Sequence, residues 1–229
     1  MTQMLASVAD ALEAETVIRA GADIVDLKNP RRGALGALPI EQIHAIVEQV
    51  AGRRPVSATI GDLPHDPTRI IDAILSTAAS GVNYVKMGFF SNANLHDCLQ
   101  AIAGISADQA VIAVLFADRH PPLERLCDFA DAGFRGIMLD TAAKRNGHLL
   151  RHIGLAGLRV FVDEARHLGL LSGLAGSLRL QDIPRLLPLD ADYLGFRGAL
   201  CEHSDRVEGV NLRQVIAIRR AVLRLPATS

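Results

Sequence analysis

Short apolar segments alternate with amphipathic segments along the whole chain. The apolar segments have the length and β-branched content of strands, and we predict strands at 4–7, 23–27, 56–60, 83–87, 110–116, 136–139, 170–174 and 193–196. The segments between them carry apolar residues at helical spacing, and we predict helices at 9–20, 39–51, 68–79, 95–103, 122–132, 155–168, 181–187 and 212–223. This alternation is typical of a parallel sheet with helical crossovers.

Eight strand–helix pairs predict a closed barrel. Gly21, Gly81, Gly133 and Gly169 stand where a predicted helix ends and the next strand begins, as expected for short turns. No linker or low-complexity segment divides the chain, so we predict one α/β domain over 1–229, a single (β/α)8 TIM barrel. The alternative is an open doubly wound sheet, but no GxGxxG follows the first predicted strand and the sequence has no GxxxxGK[ST].

Composition excludes several classes of protein. Lysine plus arginine number 24 and aspartate plus glutamate 25, for a net charge of −1, so we expect no nucleic-acid partner. Hydrophobic residues make up 49% of the 229, but no apolar run approaches the ~20 residues that span a bilayer, so we expect no membrane partner. The first residues lack the cationic start and apolar stretch of a signal peptide, and we expect a cytoplasmic protein.

Cysteines and histidines do not predict a metal site. Cys98, Cys127 and Cys201 lie far apart without a CxxC motif, and we interpret them as buried free thiols. His148 and His152 have the i, i+4 spacing of a helical metal pair, but no HExxH glutamate accompanies them. We therefore interpret these histidines as a surface pair.

Lysine is rare, and it falls at particular places in the predicted fold. Of the 24 basic residues, 21 are arginine and three are lysine. Lys28 follows the second strand on the same face as Asp26, because strand side chains alternate with a period of two. Lys86 lies near the end of the fourth strand, and Asp140 and Lys144 follow the sixth. All three lysines are therefore predicted at the C-terminal rim, where barrel enzymes have their active sites.

These side chains in one barrel mouth indicate amine chemistry. A buried lysine is unfavourable unless it is paired or its pKa is lowered, and neighbouring amines lower one another's pKa. A neutral amine attacks carbonyls to form a Schiff base, and a second amine can transfer protons. Asp26 and Asp140 can move a proton or orient an amine. The alternative is a structural pair of salt bridges, Asp26–Lys28 and Asp140–Lys144.

Small residues after the last two predicted strands indicate a phosphate site. Gly176 and Ser177 follow the seventh strand, and Arg197 and Gly198 follow the eighth. In this fold these two loops commonly bind phosphate through backbone N–H groups, and we expect Arg197 to add a fork of donors. The alternative is that the glycines only make tight turns.

Two further segments reach the same rim. Thr59 and Asp62 follow the third strand, and we expect them to bind substrate as hydrogen-bonding residues of the lining rather than as catalysts. The loop after the second strand, 29–36, is long and contains Arg31 and Arg32. It can close over a substrate, hold a second phosphate or remain an exposed basic loop.

Taken together, the motifs resemble the (5-formylfuran-3-yl)methyl phosphate synthase family of methanofuran biosynthesis. They are GADIVDLKNP at 21–30, VSATIGD at 56–62, YVKMG at 84–88, MLDTA at 138–142, FVDEA at 161–165, LAGS at 174–177 and GFRGALC at 195–201. Each motif alone is weak, but the set spans nearly the whole chain. The segment 116–122 departs from the family pattern because it looks shortened.

The resemblance implies an aldolase-type barrel and a carbon–oxygen lyase that acts on phosphates. Its reaction would join two molecules of glyceraldehyde 3-phosphate into (5-formylfuran-3-yl)methyl phosphate, with loss of phosphate and water. The resemblance also implies that Lys28 forms the Schiff base and that Lys86 accepts or donates protons. Asp26, Asp140 and Lys144 match further active-site positions of the family.

Other functions stay open on the sequence. Rim lysines beside a phosphate loop also suit another Schiff-base aldolase, a phosphosugar isomerase, or a non-catalytic barrel that binds a phosphorylated metabolite or a partner protein. Because lysine would supply the electron sink, we expect neither a metal nor an organic cofactor. We expect a phosphorylated triose as substrate and self-association into a homo-oligomer.

Overall fold

Eight parallel strands form a closed barrel. The computed structural model describes residues 1–64, 66–91, 94–106, 108–143 and 147–224. Within them the strands pair in chain order, and the eighth returns to pair with the first. They are β1 Gln3–Val8, β2 Ile24–Leu27, β3 Val56–Thr59, β4 Tyr84–Phe89, β5 Val111–Phe116, β6 Gly136–Asp140, β7 Leu171–Leu174 and β8 Tyr193–Phe196. The predicted (β/α)8 TIM barrel is confirmed.

Helices connect the strands and cover the outside of the barrel. They are α1 Ala11–Arg19, α2 Ile40–Val50, α3 Pro67–Ala79, α4 Leu95–Ala103, α5 Leu126–Asp131, α6 Leu149–His152, α7 Leu155–His167, α8 Ile183–Leu186 and α9 Leu212–Leu223. Their apolar faces pack with the outward side chains of the strands into one large core. In the described part of the chain, none of them has the length and apolar character needed to cross a bilayer.

One difference from the predicted elements lies at 122–132. There Leu123–Arg125 form a 3-10 turn, and α5 begins only at Leu126. Two consecutive prolines explain the delay, because Pro121 and Pro122 donate no backbone hydrogen bond and restrict the residue before them. The N–H of Leu123 donates to the Pro121 carbonyl at 2.8 Å, so the chain turns tightly before the α-helix starts.

A smaller apolar cluster fills the inside of the barrel. Its lower part, at the N-terminal ends of the strands, lines a cavity of about 310 Å³. We call the apolar and aromatic side chains of this cavity that lie within the barrel the floor; they are Leu5, Ile24, Tyr84, Ile112 and Tyr193. The floor supports the polar residues above it, which are described below.

The structure corrects the burial predicted for one of the three cysteines and for the histidine pair. Cys98 and Cys201 are buried as expected, and burial raises the pKa of the Cys201 thiol to about 11. Cys127 is exposed instead, because Leu126 and Phe129 occupy the buried face of α5.

The histidine pair, His148 and His152, is half-buried rather than on the surface. Nε2 of His148 lies 3.0 Å from the Arg179 guanidinium.

Candidate active site

A buried carboxylate lies inside the barrel mouth. Asp26 on β2 stands level with Ser7 on β1 and Ser57 on β3, and each serine hydroxyl donates to it at 2.7 Å. Lys86 Nζ, on β4, is 2.6 Å from Oδ1 of Asp26, and Lys28 Nζ is 4.0 Å from Oδ2. Asp26 is therefore the shared ion-pair partner of both lysines.

The two lysines keep Asp26 ionised. Burial by itself would raise the pKa of this carboxyl group, but the positive charges of Lys86 and Lys28 and the hydrogen bonds from Lys86 and Ser7 outweigh burial and hold the pKa below its usual range. The carboxylate in turn compensates two amines that the barrel removes from water, since Lys28 is 7% exposed and Lys86 2%.

Both lysines line a cavity of about 960 Å³ at the C-terminal ends of the strands, which we call the mouth cavity. Asp140, Gly176 and Ser177 line it as well. Its volume is at the upper end of the range for small-molecule sites. Two amines beside a carboxylate in such a cavity can form an imine with a carbonyl compound and exchange protons with it.

The sixth strand brings a second carboxylate to the mouth cavity. Asp140 ends β6, is buried, and accepts the backbone N–H of Thr141 at 2.7 Å. Lys144 lies outside the described residues, so its pairing with Asp140 stays a prediction. The other predicted salt bridge, Asp26–Lys28, is present at 4.0 Å, but Asp26 also holds Lys86 at the shorter distance.

The loop after β7 is shaped for the approach of an anion. Gly176 has φ +103° and Ser177 φ +51°, both in the left-handed region. A Cβ atom on Gly176 would lie 3.0 Å from the Thr141 side chain, so this position favours glycine. Within the described part of the chain, neither backbone N–H of this pair donates to a protein acceptor. Successive unused N–H groups of this kind suit a phosphate group.

Arg197 has a different role from the one predicted. Its guanidinium forms a buried ion pair with Glu13 on α1, with Nη1 2.5 Å and Nη2 3.2 Å from the carboxylate. The same group also donates to the carbonyls of Ser7, Arg206 and Glu208, at 3.2, 2.8 and 3.0 Å. These five contacts use its donors, so Arg197 has no fork left for a phosphate, although Arg197 and Gly198 both line the mouth cavity.

Thr59 and Asp62 shape a loop and do not line the mouth cavity. The Asp62 carboxylate accepts the N–H groups of Ala34 and Leu35 at 2.9 and 2.8 Å. The Thr59 hydroxyl donates to the Gly36 carbonyl at 3.2 Å. Both side chains therefore hold the long loop after β2 in place.

Sequence reasoning missed Ser7, Ser57 and Arg206. The two serines had a usable signal, because each is a polar residue within an apolar strand, at the level of Asp26. Arg206 lies in an irregular loop, and nothing in its spacing marks it. It lines the mouth cavity nonetheless.

Comparison with solved structures reproduces the barrel at low sequence identity. Phosphoribosyl anthranilate isomerase from Thermus thermophilus aligns with a TM-score of 0.68 at 14% identity, over 97% of this chain and 98% of that chain. Thiamine phosphate pyrophosphorylase from Pyrococcus furiosus aligns with a TM-score of 0.65 at 12% identity, over 96% and 95%. These similarities concern the fold alone.

Sequence relatives are more specific. A protein from Methylorubrum extorquens is 43% identical over 98% of this chain and 94% of its own length. The (5-formylfuran-3-yl)methyl phosphate synthases of Methanococcus maripaludis strain C5 and Methanocaldococcus jannaschii are each 36% identical, over 90% and 93% of this chain and 92% and 96% of their own. The family model described as 4-HFC-P synthase matches residues 4–219. The names of these relatives indicate an enzyme. The match of the family model shows that the chain belongs to the 4-HFC-P synthase family.

Proposed function

We propose that this protein condenses two molecules of glyceraldehyde 3-phosphate into (5-formylfuran-3-yl)methyl phosphate through a Schiff base on Lys28. Phosphate and water leave, so the enzyme is a carbon–oxygen lyase, and its product serves the biosynthesis of a methanofuran-type cofactor. The observation that carries the proposal is the pair of buried lysines on one carboxylate, beside the unused N–H groups of the β7 loop. Family membership supports the choice of product.

Lys28 takes the covalent step in this proposal. Its ammonium group first gives up a proton, and the neutral amine adds to the carbonyl carbon of one triose phosphate. The carbonyl oxygen then leaves as water, and the iminium ion that remains accepts electron density from the neighbouring carbon. Lys28 lines the mouth cavity at the end of β2, while Lys86 is held more tightly by Asp26. The longer distance from Asp26 supports Lys28, rather than Lys86, as the nucleophile of this proposal.

Lys86 moves protons in this proposal. Its Nζ is hydrogen-bonded to Asp26 Oδ1 and also lines the mouth cavity, so it can exchange a proton with a substrate carbon or oxygen there. Asp26 stays ionised and keeps the amine in position. Asp140, with Lys144 as its proposed partner, adds a second site for proton transfer at the sixth strand.

Phosphate is held at the β7 and β8 loops in this proposal. Gly176 and Ser177 present their N–H groups, and Gly198 allows the neighbouring loop to approach closely, since a Cβ atom there would lie 3.1 Å from the Ser204 carbonyl oxygen. Because the lysine supplies the electron sink, the proposed reaction uses neither a metal nor an organic cofactor. The proposed enzyme works in the cytoplasm as a homo-oligomer.

Borohydride trapping tests the proposal directly. We expect glyceraldehyde 3-phosphate plus borohydride to leave a triose-derived mass on the peptide that contains Lys28, since reduction fixes the imine. Lys28→Ala should give no adduct and no turnover. Lys86→Met should still be trapped but lose about 10²–10⁴-fold in kcat, because it lacks only proton transfer.

Product analysis separates the alternatives. The synthase releases phosphate and a furan with ultraviolet absorption. An adduct on Lys28 without either product would indicate another Schiff-base aldolase. Turnover of the triose without any adduct would indicate a phosphosugar isomerase and would overturn the assignment of Lys28.

A further inference from the structure

The loop between β8 and α9 is held in a fixed shape by a buried ion pair. Arg197 Nε donates to the carbonyl of Arg206 at 2.8 Å, and Nη2 donates to that of Glu208 at 3.0 Å. Glu13, the partner of Arg197, also accepts the N–H of Val210 at 3.2 Å. Arg197, which was predicted to bind phosphate, therefore fixes the backbone of Arg206, which lines the mouth cavity.

Arg206 stands between two cavities. It lines the mouth cavity, and it also lines a second cavity of about 560 Å³, which we call the side cavity. The side cavity is bounded by the loops that follow β2 to β6, and Arg119 lines it from the loop after β5. Two guanidinium groups therefore face a space that is separate from the β7 loop.

The guanidinium of Arg206 has donors to spare. Nη2 donates to the Gly33 carbonyl at 3.0 Å, and this is its one side-chain hydrogen bond to the described part of the chain. It forms no ion pair with a described residue, although Asp140 and Asp62 attract it from further away. Arg206 is half-buried, and its partial removal from water lowers its pKa, so an anion in direct contact would stabilise its charge. The guanidinium group of Arg206 can therefore bind an anionic ligand through its unused donors.

We propose that Arg206, with Arg119 across the side cavity, forms a second phosphate-binding subsite that takes the phosphate monoester of the second substrate molecule. This inference rests on the proposed function, in which two phosphorylated trioses must occupy one mouth at the same time. A planar guanidinium fork matches two oxygens of a phosphate. Asp62 also lines the side cavity, but its carboxylate already accepts two backbone N–H groups.

Binding of inorganic phosphate tests the subsite without turnover. We expect calorimetry to find two phosphate ions per wild-type chain and one per Arg206→Gln chain. Arg206→Gln should also raise the KM for glyceraldehyde 3-phosphate roughly 10- to 100-fold, as expected for the loss of a charged hydrogen-bonding partner. Arg69→Gln, on the exposed face of α3, is the matched control and should bind two ions.

Two further variants guard against a folding defect. Arg206→Lys keeps the charge but loses the fork, so its affinity should lie between those of wild type and Arg206→Gln. Arg119 is exposed, and Arg119→Gln should weaken the same phosphate ion several-fold while leaving the other unchanged. A single phosphate ion on the wild type that Arg206→Gln still binds, or two on Arg206→Gln with unchanged affinities, would overturn the subsite.

The results of these experiments distinguish a failure of the subsite from a failure of the proposed function. If the enzyme makes the furan and Arg206→Gln keeps its KM and both ions, the subsite is wrong and the function stands. If no furan forms but Arg206→Gln loses one phosphate ion, the subsite stands and the function is wrong.

Discussion

Two sets of side chains inside the barrel, one above the other, are similarly hidden from solvent but differ in their chemistry. The upper half holds Asp26, Lys28, Lys86 and Asp140, which we call the charged layer, and these side chains are 0–7% exposed. The floor below is about as well buried apart from the half-buried Tyr84, yet it is apolar except for two tyrosine hydroxyls. Burial alone therefore does not separate the site from the core, whereas the chemistry of the buried groups does.

The two halves also contribute differently to stability. Each buried apolar side chain of the floor stabilises the fold by about 1.5–3 kcal/mol. Burying charges costs several kcal/mol per ion before their mutual attraction is counted, and apolar replacements of a buried ion pair are often neutral or stabilising. A fold that needed only stability would therefore gain nothing from the charged layer, which supports the proposed role of this layer in function.

Breaking the charged layer at Asp26 should give the largest effect. Asp26→Asn removes the partner of Lys86 and leaves a buried ammonium group without a counter-charge. We expect kcat to fall about 10²–10⁴-fold, because proton transfer loses its positioned group. We also expect the free energy of unfolding to fall by about 3–5 kcal/mol. Steady-state kinetics and urea denaturation measure the two effects.

A double variant separates these effects. Asp26→Asn with Lys86→Met removes the uncompensated charge, so part of the lost stability should return while kcat stays at least as low as in Asp26→Asn. If the double variant were no more stable than Asp26→Asn, charge compensation would not be what holds the upper half together.

Breaking the floor should affect stability without activity. Ile24 lines the lower cavity but not the mouth cavity. Ile24→Ala should lower the free energy of unfolding by about 2–4 kcal/mol and leave kcat per folded molecule unchanged, and Ile24→Val should cost about 0.5–1.5 kcal/mol. A drop in kcat beyond about tenfold in folded Ile24→Ala would show that the floor also positions Lys86, which reaches the lower cavity.

The sequence was sufficient for the fold and for part of the candidate site. Eight repeats of one pattern reinforce each other, and the period of two along a strand places Asp26 and Lys28 on one face. The role of Arg197 was not predictable, because its partner Glu13 lies 184 residues away on the first helix. The contacts of Thr59 and Asp62 were not predictable either, because the loop that they hold has no periodicity. Contacts between distant loops follow from tertiary packing and leave no local signal.

The smallest expected effect is a pH dependence that belongs to the charged layer alone. The pKa of Asp26 in the folded protein lies below its ordinary value of 3.8, so its ionisation stabilises the fold above that pH, and this contribution is lost as the pH falls through the folded pKa. The stability difference between wild type and Asp26→Asn should therefore shrink as the pH is lowered below about 4.

Ile24→Ala is the control for that measurement. Its stability difference from wild type is apolar and should stay constant over the same pH range. Other ion pairs, such as Glu13–Arg197, are present in all three proteins and cancel from both differences. Urea denaturation at a series of pH values gives both curves. If the two differences ran parallel, the carboxylate of Asp26 would not be ionised against the lysines, and the contrast between the two halves would be one of packing rather than of charge.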